Sequence, residues 1–501
     1  METLSRLLRR QPPPPTVPTD RIIPLHFFEN SPLVQGNNMA ATLVFDEVLD
    51  PEKLRTSLEA LVTRDGWHRL GGRLRKNPSG TIEWHIPTTF PPSRPPLTFT
   101  HTTHTQPTTT HPIARLIPSP STTDLPSIIG NPDDLAPLAW DDDNYRPAGI
   151  ADYLTADRPV LGLRVHSFPD KTLVVLQWQH VAFDALGLGY VVENWARMLH
   201  ERGDEVPTPC GGEGDPFAVL ATGAREAGER HVLADREVGG WGMVRWGVGA
   251  GVDMLVREKE NRMVCVPEGV WRGEMERALR ELRGEAEKKG EDVGRVFLTE
   301  NDVVTAWVLR CVVVSKGMSP ERTVNASIAM SLRRSFEGDL IPVATGQPYV
   351  GNAFGWANVL VSAGDVASKP LSWLACQLRR AINEQGTRAQ HEAYYARVRE
   401  SGMGLPIVIF GDGSMAQVGF SNWSKAGLFD VDFSPARKEA GKEGIPCRAS
   451  YVQENHGPIK PANGFFVLGK DEKGNYWTSA YKVKGEWAAF EEQLREDFGR
   501  E

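Results

Sequence analysis

The chain has 501 residues, with 64 acidic and 56 basic side chains and a formal net charge of −8. This length exceeds what one hydrophobic core ordinarily supports, so we expect two or three domains. The acidic balance argues against a broad nucleic-acid-binding surface, and no stretch is apolar and long enough to span a membrane.

The five cysteines are scattered along the chain, and no pair has the spacing of metal ligands. Dispersed thiols in odd number are typical of a reducing compartment, so the sequence predicts a cytoplasmic protein. No signal peptide is expected, because Arg6, Arg9 and Arg10 precede a run of prolines and not an apolar segment.

The first predicted elements follow residues 1–20, a polar, proline-bearing stretch that we expect to be a flexible lead-in. The pattern then predicts a helix over 51–63, with Asp50 as its cap, between strands over 40–45, 67–74 and 81–86. Residues 98–126 are crowded with Thr, Pro and His. We expect a low-complexity surface insertion there instead of a metal site, because the histidine spacing is irregular.

The central part of the chain carries the most informative pattern. Residues 162–168 and 171–179 predict a β-hairpin that ends at His180, and Asp184 follows just before a helix predicted over 185–201. A histidine at the exposed end of a buried strand is suited to act as a general base. The spacing alone is expected about once by chance in a chain this long, and a purely structural histidine is the alternative.

A second domain is expected after a crossover linker over 206–260, which is rich in Gly, Glu and Pro. A strand over 263–267, a charged amphipathic helix over 274–289 and an apolar helix over 303–314 follow it. The predicted domains therefore cover residues 21–205 and 261–501.

Several landmarks occur together in a fixed order. They are His180 with Asp184, Arg333 with Arg334, Tyr349-Val-Gly351-Asn352, Ser421-Asn422-Trp423, and Asp432-Phe433. Jointly they resemble the BAHD acyltransferases, which carry the His-x-x-x-Asp motif and belong to the chloramphenicol acetyltransferase-like superfamily. The chain is most similar to the fungal branch, because Ser434-Pro435-Ala436 replaces the Gly-Trp-Gly that follows Asp-Phe in the family.

The resemblance implies an α/β fold of two chloramphenicol acetyltransferase-like domains, each a mixed sheet flanked by helices, with a tunnel between them. It implies transfer of an acyl group, most simply acetyl, from acyl-CoA to a hydroxyl of a small secondary-metabolite acceptor. His180 is then the general base. Acyl-CoA is a co-substrate, and we expect a monomer with no permanently bound cofactor and no metal.

The resemblance also assigns roles to the remaining residues. Asp184 is expected to pair with Arg333, or with Arg334 as the fallback, and to support the site instead of orienting the imidazole as in a catalytic triad. Asp432 is expected to be structural. Candidates for the substrate and CoA channel are Tyr349, Gly351, Asn352, Ser421, Asn422 and Trp423. The donor to the oxyanion stays open between backbone amides and Ser421, Asn422 or Trp423.

Three alternatives remain at the level of sequence. The same histidine supports acylation of an amine. A condensation-type enzyme has a similar motif, although Ala185 stands where a glycine is usual and no carrier domain is visible. A non-catalytic relative that binds a ligand is the third.

Overall fold

A computed structural model describes residues 14–120, 124–140, 149–212, 214–223, 228–342, 346–400, 407–439, 442, 444–457 and 460–498. Most of the predicted flexible lead-in lies outside these residues. Among them, no helix is both long and apolar enough to cross a membrane.

The strands of the described chain begin with β1 (Arg21–Pro24), β2 (Asn38–Phe45), β3 (Arg73–Lys76), β4 (Ile82–Ile86), β5 (Thr98–Thr103), β6 (Ser127–Ile129), β7 (Leu161–Ser167) and β8 (Thr172–Gln179). They continue with β9 (Lys259–Val266), β10 (Thr323–Ser331), β11 (Phe354–Ser362), β12 (Ala416–Asn422), β13 (Tyr451–His456), β14 (Gly464–Lys470) and β15 (Tyr476–Val483).

The helices begin with α1 (Pro32–Gln35), α2 (Pro51–Val62), α3 (Ala136–Ala139), α4 (Ile150–Leu154), α5 (Ala185–Leu199), α6 (Ala218–Thr222) and α7 (Gly240–Gly251). The second half adds α8 (Glu268–Lys289), α9 (Glu300–Ser315), α10 (Ala363–Ser368), α11 (Leu371–Gln385), α12 (Arg388–Glu400) and α13 (Glu486–Phe498).

The strands form two large mixed sheets and one small sheet. The five-stranded sheet has the order β13-β2-β8-β7-β5, the seven-stranded sheet β11-β10-β12-β14-β15-β9-β6, and the small sheet β1-β4-β3. Helices α2 and α5 pack together beside the first large sheet, and α8, α9, α11 and α13 pack against the second. The predicted α/β class with two sheet-and-helix units is confirmed.

The two large sheets exchange strands. Strand β13, from the second half of the chain, pairs antiparallel with β2, and β6, from the first half, pairs antiparallel with β9. The domain ranges 21–205 and 261–501 stay a prediction, and the strand pairing shows that neither sheet is confined to one of them. The exchange ties the two halves by backbone hydrogen bonds.

Most predicted elements occur within a few residues of their expected bounds. The cap at Asp50 forms, because its side chain accepts hydrogen bonds from the backbone N–H groups of Glu52 and Lys53. The strand predicted over 67–74 is wrong in its first half, where His68–Gly71 forms a 3₁₀ turn. The aromatic ring of Phe90 lies where a side chain at Gly71 would be, so the backbone turns closely beneath it.

The prediction of a surface insertion over 98–126 is wrong at its start. Strand β5 pairs in parallel with β7 and so belongs to the first large sheet. Just after it, the His104 ring stacks on Phe168 at 4.2 Å and its Nε2 lies 3.0 Å from His166 Nδ1. His104, one of the histidines that suggest low complexity in the sequence, is therefore a packed side chain. Residues 121–123 lie outside the described chain.

Candidate active site

His180 is the first residue after β8, where the strand leaves the sheet. Its backbone N–H donates to the Asn37 carbonyl at 3.0 Å, which continues the pairing with β2 by one residue. The following loop is held by the strand itself, since Gln179 Oε1 accepts from Val181 N–H at 2.6 Å and Trp178 Nε1 donates to the Phe183 carbonyl at 3.1 Å. The imidazole is thus presented from a rigid support at the wall of a cavity.

The environment of His180 favours the neutral imidazole. Burial lowers its pKa from the ordinary value of 6.5, because a buried site disfavours the charged form. Hydrogen bonding with its own backbone and the negative charge of Asp184 act in the opposite direction but do not cancel this effect, and His456 adds to the lowering. A histidine that is neutral at physiological pH can accept a proton.

Asp184 closes the same loop and caps α5. Its carboxylate accepts from the Gly187 N–H at 3.0 Å and from the Ala353 N–H at 2.9 Å. Arg333 Nη1 and Nη2 donate to the two carboxylate oxygens at 3.0 and 2.8 Å, in a two-point ion pair between buried side chains. Burial alone would raise the pKa of Asp184, but the Arg333 charge and these hydrogen bonds hold it below its usual value.

Arg333 uses its remaining donors on the segment that follows β10. Its Nε donates to the Tyr349 carbonyl at 2.8 Å, and its Nη2 also donates to the Gly351 carbonyl at 2.6 Å. Nη1 lies 3.4 Å from Ser331 Oγ. Every nitrogen of the guanidinium is therefore engaged, and Arg333, not the fallback Arg334, is the partner of Asp184.

The Tyr349–Asn352 segment lies behind the His180 loop. The Asn352 amide donates to the His180 carbonyl at 2.8 Å and to the Val181 carbonyl at 3.2 Å. Tyr349 is buried and lines the cavity, whereas Gly351 and Asn352 are not among the described residues that line it. Asn352 therefore holds the His180 loop in place by its hydrogen bonds. Of the three residues predicted to line the channel in this segment, Tyr349 is the one that borders the cavity.

A close backbone approach explains one glycine in this region. A Cβ at Gly187, in the first turn of α5, would lie 2.1 Å from the Val350 carbonyl oxygen. No side chain fits there without moving one of the two segments. The glycine therefore lets α5 dock directly on the segment that Arg333 holds.

Ser421, Asn422 and Trp423 all line the same cavity at the end of β12. Trp423 Nε1 donates to Ser421 Oγ at 3.1 Å, and Asn422 Oδ1 accepts from the Ser424 N–H at 2.8 Å. The indole donor and the amide oxygen are thus already used. The Ser421 hydroxyl keeps its own hydrogen for another acceptor.

Asp432 lies far from His180. Its carboxylate accepts from Ser434 N–H at 2.8 Å and from Cys447 N–H at 2.7 Å. His200, the C-cap of α5, contacts the Asp432 backbone carbonyl at 3.1 Å. Since α5 has 15 residues, this end lies about 22 Å from Asp184. Asp432 supports the opposite end of the helix that Asp184 caps.

The cavity that contains these side chains has a volume of about 2600 Å³. It is lined from both halves of the chain, including Asn37 and Met39 before His180 and Phe354 and Trp356 after Arg333. A drug-sized ligand typically occupies a pocket of about 300–1,000 Å³, so this cavity has room for two substrates. Among the described residues, no cluster of His, Cys, Asp and Glu could hold a metal ion.

Three contributors to the site carry no sequence signal of their own. Ala353 acts through its backbone N–H, Asn37 through its backbone carbonyl, and His456 reaches the cavity because β13 crosses to the first sheet. His456 pairs with Met39 in the register of β2 and β13. Only pairing between distant parts of the chain brings it near His180.

The chain matches known proteins in sequence and in fold. Residues 258–448 match the model of a family described as the Transferase family. Acetyltransferase adrJ of Penicillium roqueforti is 33% identical over 97% of both chains. O-acetyltransferase PaAT-2 of Phomopsis amygdali is 32% identical over 96% of this chain and 99% of its own. A protein of Penicillium decumbens named transcriptional regulator calD is 34% identical over 97% of both.

A solved structure has the same fold at low sequence identity. TRI101 of F. sporotrichioides, complexed with coenzyme A and T-2, covers 96% of this chain and 98% of its own with a TM-score of 0.63 at 14% identity. At this identity the likeness concerns the fold alone, and it covers both large sheets.

Proposed function

The chain belongs to the Transferase family of BAHD-type acyltransferases, in its fungal branch, and from that premise we propose that it is an acyl-CoA-dependent O-acyltransferase with His180 as its general base. The observation that carries the assignment is the position of His180. Its imidazole faces a cavity between the two halves, on a loop clamped by residues from both. The acceptor is a small secondary-metabolite alcohol, and the simplest acyl group is acetyl.

The reaction needs one base and no covalent enzyme intermediate. Neutral His180 takes the proton of the acceptor hydroxyl as its oxygen attacks the thioester carbonyl carbon. A tetrahedral adduct forms, the carbon–sulfur bond breaks, and the ester is released. The imidazolium then returns the proton to the CoA thiolate, so the enzyme ends in its starting state. The lowered pKa of His180 favours the form that starts this cycle.

The adduct carries negative charge on the former carbonyl oxygen, and this oxygen needs a hydrogen-bond donor. We assign this role to the Ser421 hydroxyl. Its oxygen already accepts from Trp423 Nε1, which orients the serine and leaves its hydrogen to donate into the cavity. Asn422 Oδ1 accepts from the Ser424 N–H, so the Asn422 amide nitrogen is the alternative donor at the same cavity wall. A well-placed donor of this kind contributes about 3 kcal/mol to transition-state stabilisation.

Asp184 has a supporting role in this proposal. Its two oxygens accept from Arg333, Gly187 and Ala353, which accounts for the usual hydrogen-bonding capacity of a carboxylate. No hydrogen bond from the His180 imidazole to Asp184 occurs within the described chain. The arrangement favours a brace of the catalytic loop over a catalytic triad.

The experiment is incubation of the protein with acetyl-CoA and longer acyl-CoAs against a panel of alcohols and the matching amines. Release of free thiol and the mass of the product report transfer. We expect ester formation that His180→Ala reduces by about 100-fold or more. Amide products alone would replace the proposal by N-acylation, and no transfer with any pair would favour a ligand-binding protein.

A further inference from the structure

Helix α7 and the π-helical turn Val252–Val256 that continues it carry an exposed apolar face. None of the side chains in this segment is buried. The exposed fractions of Trp241, Val244, Val248 and Leu255 are 86%, 53%, 64% and 84%. Their spacing of three, four and seven residues places them on one side. We call these four residues, together with Val252, the apolar stripe.

The other side of α7 forms part of the cavity wall. Trp246, Gly249, Ala250 and Met254 line the cavity, and Trp246 Nε1 donates to Gln417 Oε1 on β12 at 3.2 Å. A small apolar cluster attaches this side to the rest of the protein, with the members Val238, Met243, Trp246, Ile407, Ile409 and Met415. One side of α7 therefore borders the cavity of the candidate active site, and the opposite side exposes the apolar stripe to solvent.

The composition of α7 gives it little stability of its own. Five of its twelve residues are glycines, which are weaker helix formers than alanine. A Cβ at Gly247, Gly249 or Gly251 would meet no atom within 4 Å, so packing does not require glycine at these positions. A helix with poor propensity and no buried side chain gains from an external apolar contact.

The dimensions of the apolar stripe favour a lipid surface over a protein partner. From Trp241 to Leu255 the stripe extends about 21 Å. Trp241 alone exposes about 200 Å², and the five side chains together stay below the accessible area that one partner supplies to a standard protein interface. A stable protein interface needs about 800 Å² from each partner. A bilayer needs no complementary surface, and a tryptophan at one end of the stripe suits the headgroup region.

Charge gives a further indication of how such a surface would be bound. Beside the stripe, Arg257 pairs with Asp253 at 3.0 Å, and Lys259 Nζ donates to the Met254 carbonyl at 2.8 Å. Arg257 and Lys259 are therefore already engaged locally, and Arg245 is the exposed cation of α7 for which the described residues supply no ion pair. A single cation adds little attraction to anionic headgroups, so burial of apolar side chains is the main contribution that this surface offers.

We propose that the apolar stripe docks on a lipid surface and lays α7 in the headgroup region, with the cavity on its inner side. Docking goes beyond the proposed reaction and does not depend on it. If the proposed reaction also holds, a sparingly soluble alcohol dissolved in the lipid would enter the cavity that both α7 and His180 line without crossing bulk water.

The test is flotation of the full chain with vesicles of phosphatidylcholine, with and without phosphatidylserine. We expect binding to both, little changed by salt, and a loss of bound protein of about 10-fold in W241S/V248S/L255S. The matched control is I22S/V232S/I445S, which replaces exposed apolar side chains outside the stripe and the cavity and should bind as the wild type does. Melting curves verify that each variant folds. If the triple variant does not fold, the single variant L255S is used in its place.

Absence of flotation by the wild type would overturn the proposal, and so would equal flotation by the stripe variant. Binding only to vesicles with phosphatidylserine, lost at high salt, would also contradict it, because apolar insertion would then not be the cause. Sedimentation velocity supplies the remaining outcome. A wild-type dimer that the stripe substitutions dissociate, without vesicle binding, would assign the stripe to a second copy of the chain.

Discussion

The Asp184 carboxylate and the Arg333 guanidinium, 149 positions apart in the chain, meet through two hydrogen bonds of 2.8 and 3.0 Å. Asp184 belongs to the His180 loop, and Arg333 follows a strand of the other large sheet. The pair therefore joins the two halves of the molecule at the position where the proposed chemistry occurs. It fixes the loop without touching the imidazole.

We expect Asp184→Ala and Arg333→Ala each to reduce the free energy of unfolding by about 3–5 kcal/mol, because each leaves a buried charge without its partner. The double substitution should cost much less than the sum. Chemical denaturation of the four proteins measures the coupling. The matched control is the exposed pair Arg272 and Glu268, for which the same cycle should give almost no coupling. Additive losses at Asp184 and Arg333 would contradict the brace.

Removal of the proposed base should affect catalysis and not stability. His180→Ala should reduce turnover by about 100-fold or more while the melting temperature changes little. His68→Ala is the control, since His68 stacks on Phe90 and does not line the cavity. Steady-state kinetics with acetyl-CoA and the best alcohol of the panel measures the effect. Turnover close to the wild type in His180→Ala would refute the assignment.

The lowered pKa of His180 predicts the pH dependence of the reaction. The rate should stay on a plateau through neutral pH and fall only below the ordinary histidine value of 6.5, when the imidazole becomes protonated. The free energy of unfolding should also decrease as the pH falls, because the unfolded chain binds this proton at a higher pH than the folded one. The stabilisation that neutral His180 provides is complete above pH 6.5 and is lost as the pH falls through the lowered pKa of the folded protein. The His180→Gln variant should lose less stability over this pH range, because glutamine does not titrate. A kinetic midpoint above pH 6.5 would contradict the prediction.

Asn352 gives a test of positioning as distinct from chemistry. Asn352→Ala leaves the His180 and Val181 carbonyls without their side-chain donor, and we expect turnover to fall by about 10-fold or more. The kinetic midpoint of the pH profile should move as well, because the Asn352 side chain beside the His180 loop acts to raise the pKa of His180. A midpoint shifted to lower pH supports the role. An unchanged profile with only reduced stability would leave Asn352 a purely structural residue.

Gly187→Ala tests the close approach of α5 to the Val350 carbonyl. The added Cβ would lie 2.1 Å from that oxygen, so the Tyr349–Asn352 segment must move. We expect a loss of at least about 2 kcal/mol in unfolding free energy together with reduced turnover. Gly273→Ala in α8 is the control, since no atom lies within 4 Å of its new Cβ, and it should be neutral or slightly stabilising. Equal effects of the two substitutions would refute the argument.

Much of the candidate site follows from short stretches of sequence. The strand before His180 is a local pattern, and the choice of Arg333 over Arg334 came from the family resemblance. The structure adds the reason for that choice, because the guanidinium of Arg333 binds two backbone carbonyls besides Asp184. The error over residues 98–126 has a physical cause as well. Composition alone does not reveal that Thr98–Thr103 finds a parallel partner in β7.

Most of the elements and the chemistry of individual side chains can be predicted from short stretches of sequence, because periodicity, caps and turn residues act over a few neighbouring positions. The partners of those side chains depend on the folded molecule. The crossing of β13 to β2, the docking of α5 on the Val350 carbonyl and the place of α7 between the cavity and solvent depend on contacts between distant segments. Such contacts are set by packing and backbone pairing across the whole molecule, for which a single sequence carries no local signal.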